Sequence, residues 1–258
     1  MDLQLAGKVV VVSGGCHGIG RAIVDAFLAE GARVVLVDRD VGAGDALAST
    51  RPADVVFCGG DLANEDTSRR TIELAVERFR GIDVLVNNAA SNDSVGVAAG
   101  ASAFVASLRA NLVHCYSLVQ FALPHLRTAR GAIVNIGSKV AVTGQGGTSG
   151  YAAAKGALLA LTREWAVELA PAGVRVNAVL PAEVWTGMYA EWLERQPDPA
   201  AQRARIERSI PLGRRFTTPQ EIADTVVFVA SGRSSHTTGQ VLFVDGGYTH
   251  LDRRSTLP

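Results

Sequence analysis

The chain is poor in cysteine, with only Cys16, Cys58 and Cys115 among 258 residues. They are odd in number, widely spaced and form no CxxC pair, so no disulfide framework is expected. The thiols fit burial in a reducing compartment. Net charge is also lacking. Lys+Arg and Asp+Glu number 25 each, which excludes the global basic field of a nucleic-acid binder and the acidic tail that seeks a basic partner. No stretch of 18 apolar residues occurs. A short apolar run, Val9 to Val12, leads straight into glycines, so neither a signal peptide nor a membrane span is expected. The histidines at 17, 114, 125, 236 and 250 show no ligand spacing, and no metal site is expected. Linkers, repeats and low-complexity tracts are missing as well. These absences leave a cytoplasmic globular protein of one domain, residues 1–258.

What is present is a rhythm. Short β-branched runs stand at 8–12, 33–37, 54–58, 83–86, 131–136, 174–180 and 240–244. They are apolar on both faces, as strands of a parallel sheet covered by helices must be. Helical patterns fall between them at about 18–30, 41–49, 64–80, 102–127, 151–170 and 219–230. The last has a start signal, with Thr218 as cap, Pro219 at the first helical position and Glu221 completing a capping box. The alternation predicts an α/β fold, one doubly wound, Rossmann-like parallel sheet with helices on both faces. Segment 183–215 breaks the rhythm. It is long, charged and punctuated by proline, and it follows a strand's C-terminal end, where it reads as a substrate lid.

The first strand runs into Ser13-Gly14-Gly15-Cys16-His17-Gly18-Ile19-Gly20 and then a helix. Glycines 14, 18 and 20 permit positive φ and let a pyrophosphate approach the backbone, while the helix presents free N–H groups to it. Asp38 ends the second strand, placed to accept hydrogen bonds from adenosine ribose hydroxyls. Its carboxylate would repel the 2′-phosphate of NADP, so NAD is favoured. Arg39 follows at once and could hold such a phosphate, so NADP is tolerated. Farther on, Tyr151 and Lys155 stand four apart in YAAAK, on one helical face. Hydride transfer from an alcohol needs a base, and an ammonium one turn from a phenol favours the phenolate. Taken alone, the pair also reads as a helix-start aromatic beside a solvated charge.

Together these residues resemble the short-chain dehydrogenase/reductase family in its single-domain form, over essentially the whole chain. The matching motifs come in order: SGGCHGIG, Asp61-Leu62, Asn87-Asn88-Ala89-Ala90, Asn111, Ser138 and YAAAK. The resemblance implies an NAD(P)-dependent oxidoreductase acting on CH–OH donors. It assigns Tyr151 as the proton acceptor and Lys155 as its partner and a ligand of the nicotinamide ribose. Ser138 would hold the substrate oxygen, and Asn111 would anchor a proton-relaying water. The implied cofactor set is Gly14, Cys16, His17, Gly18, Ile19, Gly20, Asp38, Arg39, Asp61, Leu62, Asn88 and Ala89, with Tyr151, Lys155, Pro181, Val184 and Thr186. The family also implies a homo-oligomer, a dimer or tetramer built on the helices at 102–127 and 151–170. Departures are visible at Ser13, where threonine is usual, and at Ala90, where glycine is. Ala182 and Glu183 follow Pro181 where a proline-glycine turn is customary.

The loops at the strand ends should supply Asn92, Asp93, Lys139, Gln145, Glu183 and Trp185, with Ser138 and Tyr151, to a substrate. Amides, charges and one indole suit a polyhydroxylated ligand better than an acyl chain or steroid. The ending Asp245-Gly246-Gly247-Tyr248-Thr249-His250-Leu251-Asp252-Arg253 and the PAEVWT turn are similar to the bacterial L-fucose dehydrogenases of this family. That resemblance implies oxidation of a sugar's anomeric hydroxyl. Two alternatives stand beside it: a 3-oxoacyl or ketosteroid-type reductase, and a non-enzymatic nucleotide sensor on the same scaffold.

Overall fold

In the computed structural model, which describes residues 1–252, the β-branched runs form seven strands joined by helices. In the first half these are β1 (Val9–Ser13), α1 (Gly18–Ala29), β2 (Arg33–Asp38), α2 (Val41–Thr50), β3 (Val55–Gly59), α3 (Glu65–Phe79) and β4 (Val84–Asn87). Next come α4 (Ala101–Leu108), α5 (His114–Ala129), β5 (Ala132–Ile136), α6 (Ser149–Leu169) and β6 (Arg175–Pro181). The chain then adds α7 (Gly187–Glu194), α8 (Pro199–Arg208), α9 (Pro219–Ala230) and β7 (Val241–Val244). The strands lie in the order β3-β2-β1-β4-β5-β6-β7, and every pairing is parallel, with Val10 opposite Val34 on one side and Val84 on the other. The order reverses between β1 and β4, which opens a crevice at their C-terminal ends.

Strand residues point alternately to the two faces. Val10 and Val12 pack with Ile23 and Phe27 of α1 and Ile222 and Val226 of α9. Val9 and Val11 pack with Ile72 of α3, Leu118 of α5 and Leu158 of α6. Each such side chain contributes about 1.5–3 kcal/mol when fully buried. The sheet is therefore a rigid platform for the loops at its edge.

The single helix expected at 102–127 is two. Between α4 and α5, residues Arg109–Val113 form a π turn, where the Asn111 Nδ2 donates to the Ser107 carbonyl at 3.1 Å. That carbonyl is the acceptor an α-helical Asn111 N–H would use, so the side chain replaces the main chain and the turn widens. The segment expected as a lid, 183–215, carries α7 and α8. The capping box at α9 is present in both directions, with Glu221 N–H to Thr218 Oγ1 at 3.3 Å and Thr218 N–H to Glu221 Oε2 at 2.8 Å. The other end of α9 is closed from a distance. The Arg175 guanidinium, at the start of β6, donates to the carbonyls of Val229, Ala230, Ser231 and Thr237 at 2.7–3.3 Å, placing a cation at the helix's negative end.

Candidate active site

The crevice is a groove of about 670 Å³ running across the strand ends, a size that suits a cofactor. Its first wall is the glycine turn. Gly14 and Gly18 have φ of +68° and +52°. A Cβ on Gly20 would lie 1.8 Å from the Gly14 carbonyl, so no other residue fits there. Helix α1 begins at Gly18 without any side-chain cap on His17, leaving its first N–H groups directed at the groove for a phosphate. Asn88 closes the turn from β4, its Nδ2 donating to the carbonyls of Ser13 and Gly14 at 2.9 and 3.0 Å. Ser13 keeps the hydroxyl that threonine would supply: its Oγ accepts the N–H groups of Asn88 and Ala89 at 2.9 and 3.0 Å.

Asp38 sits at the end of β2. One carboxylate oxygen accepts the Cys16 N–H at 3.0 Å and the other the Asp40 N–H at 3.2 Å, so the group is fixed by main chain. The residue that caps α2 is Asp40, which accepts from Ala43 N–H at 3.0 Å and pairs with His17 at 2.8 Å. These contacts, that with Ala43 first, hold its carboxyl below the usual range. Arg39, Asp61 and Leu62 line the same end of the groove. The Cys16 thiol does not. It is buried, and desolvation followed by the charge of Asp38 pushes it up to about 12, so the thiol stays protonated.

At the other end, Tyr151 and Lys155 both line the groove, with Pro181 and Thr186. Lys155 is 2% exposed. Its Nζ donates to the Ile136 carbonyl at 2.7 Å and lies 5.7 Å from the Tyr151 ring centroid. This is no solvated surface lysine. Ser138 and Asn111 stand beside the lining residues Gly137 and Ala110. Asn111 is fully buried, and its Oδ1 accepts the Ser91 N–H at 2.7 Å. Thr186 caps α7 and stands against the glycine turn, for a Cβ on Gly18 would meet its methyl group at 3.3 Å. Val184 is in the core, 5% exposed and bridged to Thr217, and its side chain does not reach the groove.

The residues expected to meet a substrate divide. Asn92 and Gln145 are exposed on loops. Lys139 and Glu183 are turned inward and form an ion pair, and Glu183 also accepts the Tyr189 hydroxyl at 2.7 Å. Trp185 packs edge-on against Phe216, and the Arg203 guanidinium covers its ring at 4.4 Å. The indole face expected to stack on a ligand thus carries a cation from α8. Arg253 lies outside the described residues.

Two further residues, Tyr189 and His114, stand close to the site without a motif to mark them. Tyr189 joins Trp185, Trp192 and Phe216 in an edge-to-face aromatic cluster. The spacing of three between Tyr189 and Trp192 marks one face of α7 and could have disclosed part of it. His114 follows the π turn, 1% exposed. Burial, then the positive charge of Lys155, pushes it down to about 4, so it is neutral at ordinary pH. Only its position three residues after Asn111 hinted at this placement.

Among the described residues, no cluster of three or more His, Cys, Asp or Glu could hold a metal ion, and no helix is long and apolar enough to cross a membrane. A family model described as enoyl-(acyl carrier protein) reductase matches residues 14–249. The L-fucose dehydrogenase of Bos taurus is 39% identical over 249 residues, 96% of this chain and 91% of that protein. The crystal structure of Cj0485 dehydrogenase superposes with a TM-score of 0.94 at 41% identity, covering 98% of each chain. L-Sorbose reductase from Gluconobacter frateurii, solved with NADPH and L-sorbose, gives a TM-score of 0.91 at 27% identity over 98% of this chain and 100% of that one. The chain is an oxidoreductase of the short-chain dehydrogenase/reductase family.

Proposed function

We propose that the protein is an NAD(P)-dependent sugar dehydrogenase that oxidises the anomeric hydroxyl of L-fucose, or a closely related aldose, to the lactone. The observation that carries the reaction class is the placement of Tyr151 and buried Lys155 together on the wall of one groove with the glycine turn. The identity with L-fucose dehydrogenase supports the substrate. A bound oxidised nicotinamide supplies the acceptor for the hydride that leaves the anomeric carbon. Tyr151 takes the hydroxyl proton, and the Lys155 ammonium favours the phenolate that does so. Ser138 Oγ holds the substrate oxygen against Tyr151. Water bound at Asn111 passes the proton onward.

The groove's own residues fit a dinucleotide, with uncapped N–H groups of α1 for the pyrophosphate and Asp38 for the adenosine ribose. Asp38 favours NAD, and exposed Arg39 leaves NADP accepted. Exposed apolar side chains on α5 and α6, such as Tyr116 (54%) and Val167 (76%), support pairing of copies in a homo-oligomer. The 36% identity over 250 residues with the 3-oxoacyl-[acyl-carrier-protein] reductase of Thermotoga maritima favours a second reading, a 3-oxoacyl-type reductase. The charged Lys139–Glu183 pair beside Ser138 suits hydroxyls better than an acyl chain. A panel of free sugars with NAD and NADP, read by absorbance of the reduced nicotinamide, tests the proposal. Turnover of 3-oxoacyl thioesters with no turnover of any aldose would replace it with the second reading.

A further inference from the structure

Lys139 and Glu183 are 44 residues apart, yet they form an ion pair with side chains only 13% and 12% exposed. Removing two charges from water costs more than packing two apolar side chains in the same space, so fold stability alone is a poor reason for the pair. The remaining carboxylate oxygen of Glu183 accepts the Tyr189 hydroxyl at 2.7 Å. Burial, then the Glu183 charge, raises the Tyr189 hydroxyl above its ordinary range, so it stays a donor. Each carboxylate oxygen therefore has a partner inside the protein. The Lys139 ammonium also stands 4.2 Å from the Tyr248 ring centroid and keeps donor capacity beyond the bond given to Glu183.

These contacts join four segments, three of which also supply groove-lining residues: Gly137, Pro181 and Met188. Lys139 adjoins Ser138, and Glu183 follows Pro181 by two. Tyr189 lies on α7, whose neighbours Thr186, Met188 and Glu191 line the groove. Tyr248 follows β7. We infer that Glu183 is a positioning residue: it latches α7 to the Ser138 loop and aims the Lys139 ammonium at a hydroxyl of a polyhydroxylated substrate. Lys139 is then the specificity-determining group. This rests on the sugar reading above and sharpens it, because the carboxylate does not itself read the sugar.

The test uses the full chain saturated with NAD and the variants Glu183→Gln, Tyr189→Phe and Lys139→Met. In amide hydrogen exchange, residues 187–194 should exchange about fivefold faster in Glu183→Gln and Tyr189→Phe than in the wild type. Unchanged exchange in both overturns the latch, whatever the substrate. In the kinetic arm, L-fucose is compared with its 2-, 3- and 4-deoxy analogues. Lys139→Met should raise KM for L-fucose about tenfold, leave kcat within about threefold, and erase the preference over one deoxy analogue only. Glu183→Gln should act in the same direction, and the double variant should be no worse than Lys139→Met alone, because Glu183 acts through Lys139. Equal losses across all analogues, or additive effects in the double variant, overturn the aiming role. Absence of any sugar turnover in the wild type overturns the sugar reading and with it the aiming of Lys139, while the exchange arm still decides the latch.

Discussion

At the adenosine end of the groove, polar groups are fixed mostly by main chain: Asp38 by two N–H groups and Ser13 by two more, with the Asn88 amide as the one side chain that holds the glycine turn. At the catalytic end they are fixed by side chains from distant segments: Lys139 by Glu183, Glu183 by Tyr189, and Trp185 by Arg203. Main-chain sites present the same donors whatever the neighbouring side chains are. Side-chain sites change with one substitution. One end can therefore keep its ligand while the other changes substrate.

The largest expected effect lies at the catalytic end. Tyr151→Phe should lower kcat by about a thousandfold or more while NAD affinity, followed by titration calorimetry, stays within about twofold. Substantial residual turnover would remove the role given to Tyr151. Lys155→Ala should damage both quantities, since Lys155 lines the groove and supports the phenolate.

His114, between the two ends, offers a pH test. Its folded pKa is depressed to about 4 against an ordinary value of 6.5, so the unfolded chain binds the extra proton first as pH falls. Stability is then fully present above pH 6.5 and declines towards pH 4, by up to about 3 kcal/mol. Denaturant unfolding across that window should show a flatter slope in His114→Phe. An identical slope would mean that another group titrates.

For the main-chain end, Asp38→Ser should raise the NADP-to-NAD ratio of kcat/KM by about tenfold, equivalent to roughly 1.4 kcal/mol. A ratio that does not move places phosphate discrimination elsewhere. The smallest effect is expected away from both ends, at the α9 cap. Thr218→Ala should cost about 1 kcal/mol, lowering Tm by about 2–4 °C, with kcat unaltered.

The same contrast explains what could be read from the chain alone. The strands, the capping box at Thr218, the glycine turn and Asp38 depend on local pattern, and the structure has them within a residue or two of their expected places. The π turn at Arg109–Val113 was not legible, because it arises from one side chain competing for one carbonyl. Lys139 and Glu183 were expected at the substrate end, but their pairing was not legible, since a charge on a loop is ordinarily solvated and only tertiary contact brings together two residues 44 apart. Trp185 was expected to be an open platform for the same reason. Its cover, Arg203, comes from a helix whose docking the sequence did not disclose.

Arg175 carries a consequence for synthesis. Its four carbonyl acceptors follow it by 54 to 62 residues, so β6 leaves the ribosome well before anything can receive its guanidinium. During that interval β6 is an unpaired sheet edge with an uncompensated cation at its start, because β7 has not yet been made. The N-terminal strands can assemble as they emerge. The nascent chain's hazardous stage thus runs from the emergence of β6 from the ribosome to the emergence of α9 and β7, and a pause within that interval would prolong it.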